Sequence, residues 1–118
     1  MGTFLYPIEI GDSSGSRFER VEALVDTGAS YTVVPTSVLQ RLGITPRHRR
    51  SFILGDGRRV ERGLGETIVR IDGEGVTRLV VFGDEQTRPV LGADTLEGLG
   101  LGVDPLQRRL VRTDALLV

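Results

Sequence analysis

The amino-acid sequence predicts a mainly β domain, with several short strands arranged as a barrel or a sandwich and one or two short helices. Three observations predict this class. Short apolar runs are separated by Gly, Asp and Ser; apolar and polar residues alternate over 8–10 and 68–71; and 16 of the 118 residues are glycine, which favours turns. A chain of this length forms one compact domain, so residues 1–118 are expected to fold as a single unit.

The strands are predicted from the apolar runs, and the turns from pairs of glycine and aspartate between them. Candidate strands, in chain order, cover residues 3–10, 17–25, 50–54, 58–71, 76–82 and 107–112. Turns are expected at residues 11–12, 56–57, 72–73 and 83–84. A further short strand over 101–103 ends at Asp104-Pro105, because proline cannot donate to a strand ladder.

Two segments depart from the strand pattern and predict short helices. Residues 37–42 place two leucines on one face, with Ser37 as the expected N-cap and a glutamine three residues later in capping-box spacing. Residues 94–99 open in a similar way, with Asp94 as a possible N-cap. Glycines then end both helices.

Composition excludes several classes of protein. The formal net charge of −1 provides no broad field to attract nucleic acid. Without cysteine and with His48 as the single histidine, no thiol nucleophile and no zinc cluster is expected, so the metal prediction is none. No apolar run approaches the ~20 residues that span a bilayer, and we expect a cytoplasmic protein without a membrane partner.

The segment that carries chemistry is residues 23–30, in which an apolar strand leads into Asp26, Thr27 and Gly28. The apolar approach is expected to bury the carboxylate, and burial raises the pKa of a carboxyl whereas hydroxyl and N–H donors favour its ionised form. Two such carboxylates about 3 Å apart share one proton, and the pair can activate water without a metal or cofactor.

That mechanism needs a second aspartate in a matched setting. None of the other aspartates is followed by Thr-Gly or Ser-Gly, so the chain has only one such loop. A two-fold homodimer places the same loop opposite itself. The sequence therefore predicts an obligate homodimer with one active site, formed by Asp26 of each chain.

Residues 26–29 (Asp-Thr-Gly-Ala) and 90–92 (Val-Leu-Gly) resemble the two hallmark motifs of the retropepsin-like aspartic proteases. The resemblance covers most of the chain and implies a closed acid-protease-type β-barrel that is homodimeric. It implies that Asp26 is the catalytic carboxylate and that Thr27 donates its hydroxyl across the dimer axis. Gly28 would contact both the carboxylate and the substrate.

The same resemblance implies where a peptide binds. Residues 52–60 occupy the position of the family's flap, a mobile hairpin that closes over the peptide and excludes water. Without the resemblance, an ordinary hairpin turn is the simpler interpretation. The substrate-binding residues it implies are Ala29 and Ser30 after the catalytic turn and Leu54, Gly55, Asp56 and Gly57 at the hairpin tip.

Two features bear on the dimer. Retroviral members usually carry an acidic residue where this chain has Ser30 and an arginine where it has Ala93, and those two residues form an ion pair near the dimer interface. Because both charges are missing, neither is left unpaired, but viral subsite preferences do not carry over. The apolar tail, residues 115–118, would interleave with its partner as in the family, or else is a frayed end.

The leading hypothesis is an aspartic endopeptidase that binds an extended segment of a peptide or protein substrate and hydrolyses a peptide bond in it. The alternative is a non-catalytic peptide-binding or dimerisation module that retains the protease fold. A nucleic-acid contact at the basic run 47–50 ranks last, because a short basic run is usually a solvated surface. No nucleic acid is therefore expected among the partners.

Overall fold

The computed structural model describes residues 3–115 and residue 117. The elements in chain order are β1 (Leu5–Gly11), β2 (Phe18–Val25), β3 (Val33–Pro35), α1 (Thr36–Arg41), β4 (His48–Ile53), β5 (Arg59–Ile71), β6 (Glu74–Gly83), β7 (Val90–Leu91), α2 (Ala93–Gly98), β8 (Leu101–Asp104) and β9 (Arg109–Arg112). The prediction of a mainly β domain with two short helices is confirmed. The sequence also predicts that the apolar tail, residues 115–118, interleaves with a partner. Residues 116 and 118 of this tail lie outside the described residues.

The strands form a ring. Seven strands are hydrogen-bonded in the order β1-β2-β7-β3-β6-β5-β4, and β1 also pairs with β5, which closes β1, β2, β7, β3, β6 and β5 on themselves. Among the described residues, strand β4 pairs only with β5, so it lies outside the closed ring. Strands β8 and β9 form a separate two-stranded sheet.

The two-residue period of the sequence accounts for the inner and outer faces of the ring. In β1, Ile8 and Ile10 are 1% and 0% exposed, whereas Glu9 between them pairs with Arg70 of β5 at 2.8 Å. Burying one such aliphatic side chain contributes roughly 1.5–3 kcal/mol. Other strands, both helices and the segment after α1 complete the core with Ala23, Val25, Val34, Val38, Leu39, Leu42, Ile44, Val69, Ile71, Val80, Phe82, Leu91 and Leu96.

Most predicted strands are observed with small shifts at their ends. The predicted strand 107–112 is shorter, because residues 105–108 form the turn between β8 and β9 and Arg108 has a φ of 54°. Strand β3 was not predicted. It is three residues long and ends at Pro35 directly before α1, so it offers too few positions for a period to be read.

The predicted helix caps were wrong in both helices. The N-cap of α1 is Pro35, without a side-chain cap, and Ser37 lies inside the helix, where its N–H and hydroxyl donate to Glu85 at 2.8 and 2.6 Å. The N-cap of α2 is Gly92, and Asp94 lies in the first turn. Partners distant in sequence replace the local caps.

Within the described residues, no helix has the length and apolar character needed to cross a membrane.

Candidate active site

Asp26 lies where β2 ends beside β7. Strand β2 runs parallel to β7, with Leu24 opposite Val90 and Val25 opposite Leu91. The Asp26 N–H donates to the Leu91 carbonyl oxygen at 3.0 Å. Because Val25 and Leu91 are buried at 3% and 0% exposure, the core holds both strands in place where the aspartate leaves the sheet. The expected position of residues 90–92 beside the catalytic loop is confirmed.

The turn after Asp26 holds its carboxylate. The Gly28 N–H donates to Asp26 Oδ1 at 2.9 Å, and the Ala29 N–H donates to the Asp26 carbonyl oxygen at 3.1 Å. A glycine fits closely here, since an added Cβ at Gly28 would lie 3.1 Å from the same Oδ1. Asp26 Oδ2 accepts no hydrogen bond from the residues that the structure describes. One carboxylate oxygen is therefore fixed and the other is available.

The loop is more open than the sequence suggested. Asp26 is half-buried, whereas Thr27, Gly28 and Ser30 are exposed. Over residues 3–115, the Thr27 side chain makes no hydrogen bond. The expectation of a buried carboxylate is thus only partly met in a single chain, because the apolar strand covers one side of the loop and leaves the other side to solvent.

Main-chain bonds take the place of the ion pair that the sequence lacks. The Ala93 N–H donates to the Ala29 carbonyl oxygen at 2.8 Å, and the Asp94 N–H donates to the Ser30 carbonyl oxygen at 3.0 Å. Residues 29–30 are thereby joined to the start of α2 without charged side chains at positions 30 and 93. Within one chain, residues 29–30 and the start of α2 are therefore connected although positions 30 and 93 carry no charge.

A buried polar network supports the same junction and was not predicted. The hydroxyls of Thr32 and Thr95 lie 2.7 Å apart, both residues are 0% exposed, and the Gly92 N–H donates to Thr32 Oγ1 at 3.0 Å. An added Cβ at Gly92 would lie only 2.5 Å from the Tyr31 carbonyl carbon. The available signal was a threonine inside the otherwise apolar run 31–34.

The hairpin predicted between residues 52 and 60 is confirmed as a structure. The Leu54 N–H donates to the Arg58 carbonyl oxygen at 2.8 Å, and Gly57 closes the turn with a φ of 89°. Asp56 accepts from the Arg58 N–H at 3.0 Å and from Arg58 Nε at 2.8 Å. These hydrogen bonds lower the pKa of Asp56 and engage its carboxylate within the tip.

The hairpin meets the segment after the Asp26 turn at Tyr31, a residue that sequence reasoning missed. The rings of Tyr31 and Phe52 pack edge to face with centroids 5.9 Å apart, and Arg50 Nη1 donates to the Tyr31 hydroxyl at 2.6 Å. Within the described part of the chain, no hydrogen bond joins tip residues 54–57 to residues 26–30. The structure thus connects the base of the hairpin to the loop, and not its tip.

An open cavity of about 390 Å³ lies elsewhere, lined by Leu5, Glu22 and residues 85–89. Asp26 is not among its lining residues. The half-buried Asp26 and the exposed residues 27–28 therefore lie outside this cavity.

Comparison with protein families identifies the family of this chain. Residues 17–98 match the family described as "gag-polyprotein putative aspartyl protease". This range includes the Asp26 turn, the hairpin, β7 and α2. Comparison with curated proteins gives no significant match.

Solved structures that are similar in fold include the following three. The retroviral protease-like domain of Ddi1 from Leishmania major is 19% identical with a TM-score of 0.62, covering 98% of this chain and 91% of that domain. The EIAV protease, solved with the inhibitor HBY-793, is 25% identical with a TM-score of 0.59, covering 82% and 88%. The simian foamy virus (mac) protease is 18% identical with a TM-score of 0.57, covering 81% and 94%. These likenesses show a retroviral-protease-like fold.

Proposed function

We propose that this chain, which belongs to the gag-polyprotein aspartyl protease family, is an aspartic endopeptidase that works as a homodimer. Asp26 of each subunit supplies one of two carboxylates at a shared active site. The observation that carries the proposal is the Asp26 turn, which presents a carboxylate with one fixed and one available oxygen on an exposed loop. The chain has one such turn, so a second copy supplies its counterpart.

The reaction follows from two carboxylates that share one proton. The ionised carboxylate accepts a proton from water as it attacks the scissile carbonyl, and the protonated one donates to the carbonyl oxygen. As the peptide bond breaks, the departing nitrogen takes the proton that came from water. A hydroxyl of the diol intermediate returns its proton to the other carboxylate as the new carbonyl forms, so the pair again holds one proton. In this chain the Gly28 N–H holds Oδ1 of Asp26, which leaves Oδ2 to face the water and the other carboxylate.

The exposed part of the loop supports the dimer. The Thr27 hydroxyl has no partner within the described chain, and Thr27 and Gly28 are open to solvent although Ala23 and Val25 of the strand before them are buried. A two-fold axis beside this loop would cover both residues and let Thr27 donate to the opposite subunit. It would also increase the burial of each Asp26.

The substrate is an extended peptide that lies between the loop and the hairpin. The hairpin face that contacts Tyr31 carries half-buried Phe52 with Val60 opposite it in the register. Apolar side chains from the hairpin would cover the peptide and exclude water from the carboxylates. Ala29 and Ser30, which follow the turn, would contact the peptide main chain.

The direct test is Asp26→Asn, assayed on a mixed peptide library. The amide keeps the size of the side chain but cannot act as a base, so cleavage should fall by at least about 10³-fold while secondary structure is unchanged. Glu97→Gln is the matched control, because Glu97 is exposed and its side chain makes no hydrogen bond or ion pair within the described residues. Equal cleavage by wild type and Asp26→Asn would disprove the mechanism. Binding of library peptides without any cleavage would instead indicate a non-catalytic peptide-binding module.

A further inference from the structure

Most arginines of this chain pair with a carboxylate, and a few do not. Arg47, for example, lies 3.4 Å from Glu66, and Arg62 lies 2.8 Å from Asp84. Within residues 3–115, the arginines that have no carboxylate within 4.0 Å are Arg50, Arg59, Arg88 and Arg108. Of these four, only Arg50 contacts the segment that follows the Asp26 turn.

Arg50 is held in place without having its charge neutralised. Its Nη1 donates to the Tyr31 hydroxyl at 2.6 Å, and its guanidinium carbon lies 5.6 Å from the centre of the Tyr31 ring. The edge-to-face packing of Tyr31 on Phe52 orients the tyrosine in turn. A guanidinium has five N–H donors, and Arg50 makes this one hydrogen bond within the described residues. Donors remain for a further acceptor.

The register of the hairpin places Arg50 on the face that meets the loop. Side chains alternate along a strand, so Arg50 and Phe52 of β4 share one face, and both contact Tyr31. Ile53 and its cross-strand partner Arg59 lie on the opposite face, where Ile53 is 66% exposed. The unpaired charge of Arg50 therefore faces the space between hairpin and loop, and that of Arg59 faces away from it.

The neighbouring basic residues do not form one uniform patch with Arg50. Arg47 pairs with Glu66 at 3.4 Å, and Arg49 pairs with Glu61 at 3.7 Å. Their charges are compensated locally, which disfavours a polyanion contact along the whole run. What remains is a single oriented cation beside the candidate peptide path.

We propose that Arg50 is a specificity-determining residue that binds an acidic side chain of the peptide substrate, an inference that rests on the proposed function. A carboxylate accepts two parallel hydrogen bonds from a guanidinium, and the contact with Tyr31 already restricts the rotation of Arg50. A two-fold dimer has two copies of Arg50. Preferred substrates therefore carry Asp or Glu at matching distances on both sides of the cleaved bond.

The experiment compares wild type, Arg50→Gln, Arg50→Glu and Arg59→Gln on one peptide library. Wild type should select Asp or Glu at one position on each side of the bond. Two peptides are then compared that differ only at that position, where one has Glu and the other Gln. The KM of the Glu peptide should be lower than that of the Gln peptide by about ten-fold or more, with kcat little changed. Arg50→Gln should lose this difference and Arg50→Glu should prefer Lys or Arg. Arg59→Gln should keep the wild-type pattern.

Equilibrium binding of the same paired peptides to Asp26→Asn protein separates this inference from the proposed function. If Asp26→Asn protein binds the Glu peptide more tightly than the Gln peptide, and the additional change Arg50→Gln removes this difference, the role of Arg50 is supported even if the wild type cleaves nothing. An acidic preference that persists in Arg50→Gln overturns the inference. So does the lack of any acidic preference in both wild-type cleavage and Asp26→Asn binding.

Discussion

The Gly28 N–H donates to Asp26 Oδ1 at 2.9 Å, so the loop that carries the acid also orients it. The bond spans only two residues and needs no second chain. The Asp26 N–H is itself bonded to Leu91 at 3.0 Å, which ties the start of the turn to the core. The geometry of one carboxylate is thus set within a single chain, whereas the proposed function needs a second chain to supply the other carboxylate.

Gly28→Ala should reduce activity more than stability. The new Cβ would lie 3.1 Å from Asp26 Oδ1, so the carboxylate has to shift by a few tenths of an ångström. Misplacing a reacting group lowers the rate steeply, and we expect kcat to fall about ten-fold or more. The midpoint of thermal unfolding should change little, because within the described chain the added Cβ meets only Asp26 Oδ1 and no atom of the core. Unchanged kcat with peptide would contradict a role for this contact.

Gly92→Ala should destabilise the fold strongly. The added Cβ would lie 2.5 Å from the Tyr31 carbonyl carbon and 3.0 Å from the Ala29 carbonyl oxygen, both of which are main-chain atoms that cannot rotate away. We expect a loss of about 3 kcal/mol or more in the free energy of unfolding, measured by urea denaturation. Gly55→Ala is the control, since no described residue other than its chain neighbours lies within 4 Å of its added Cβ. Similar midpoints for both variants would contradict the close packing at Gly92.

The Thr32 and Thr95 hydroxyls should act as one unit. Thr32→Val leaves the Thr95 hydroxyl and the Gly92 N–H without this partner in a buried site. The free energy of unfolding should fall by about 1–3 kcal/mol as a result. The double variant Thr32→Val with Thr95→Val should lose less free energy of unfolding than the two single variants lose in sum. Thr32→Ser, which keeps the hydroxyl, serves as the control. Additivity within about 0.3 kcal/mol would show that the two hydroxyls are not coupled.

The ion pair between Glu19 and Arg41 should make stability fall in acid. The side-chain hydrogen bond from Arg41, 2.8 Å from Glu19 Oε1, lowers the pKa of Glu19 below its ordinary value of 4.5. A carboxyl with a lowered folded-state pKa stabilises the fold fully above its unfolded-state pKa, and this contribution is lost as the pH falls through the folded-state value. Below about pH 5 the urea midpoint should therefore decrease.

Glu19→Gln tests this dependence. The variant should be less stable than wild type at pH 7, and the difference should shrink as the pH falls below 4.5, the ordinary value for this carboxyl. Glu97→Gln should follow the wild-type profile, because the Glu97 side chain has no charged partner within the described residues. A difference between Glu19→Gln and wild type that stays constant down to pH 3 would rule out this contribution.

The parts of the fold predicted from sequence are those that depend on local pattern. Strand β5 was expected over 58–71 and is observed over Arg59–Ile71, because buried residues alternate with more exposed ones over 65–71 and so specify the register of that part of the strand. The Asp26 turn and the hairpin were also predicted, since both contain glycine beside a polar residue at a strand end. These features need no knowledge of distant contacts.

The parts that were missed depend on residues far apart in sequence. Ser37 looked like an N-cap, but Glu85 accepts its hydroxyl at 2.6 Å from across the fold. Tyr31 has no local pattern that marks it, and its role appears only when β4 brings Arg50 and Phe52 against it. Local propensity cannot indicate such partners, because the topology of the ring decides which segments meet.

The central claim is that each active site takes one Asp26 from each of two chains, and a mixing experiment tests it. Wild type and Asp26→Asn are unfolded together in equal amounts, refolded, and assayed for peptide cleavage at a fixed total chain concentration. If the site is shared and one aspartate is not enough, random pairing leaves about one quarter of the wild-type activity. If each chain carries its own complete site, about one half remains, and that result would contradict the account.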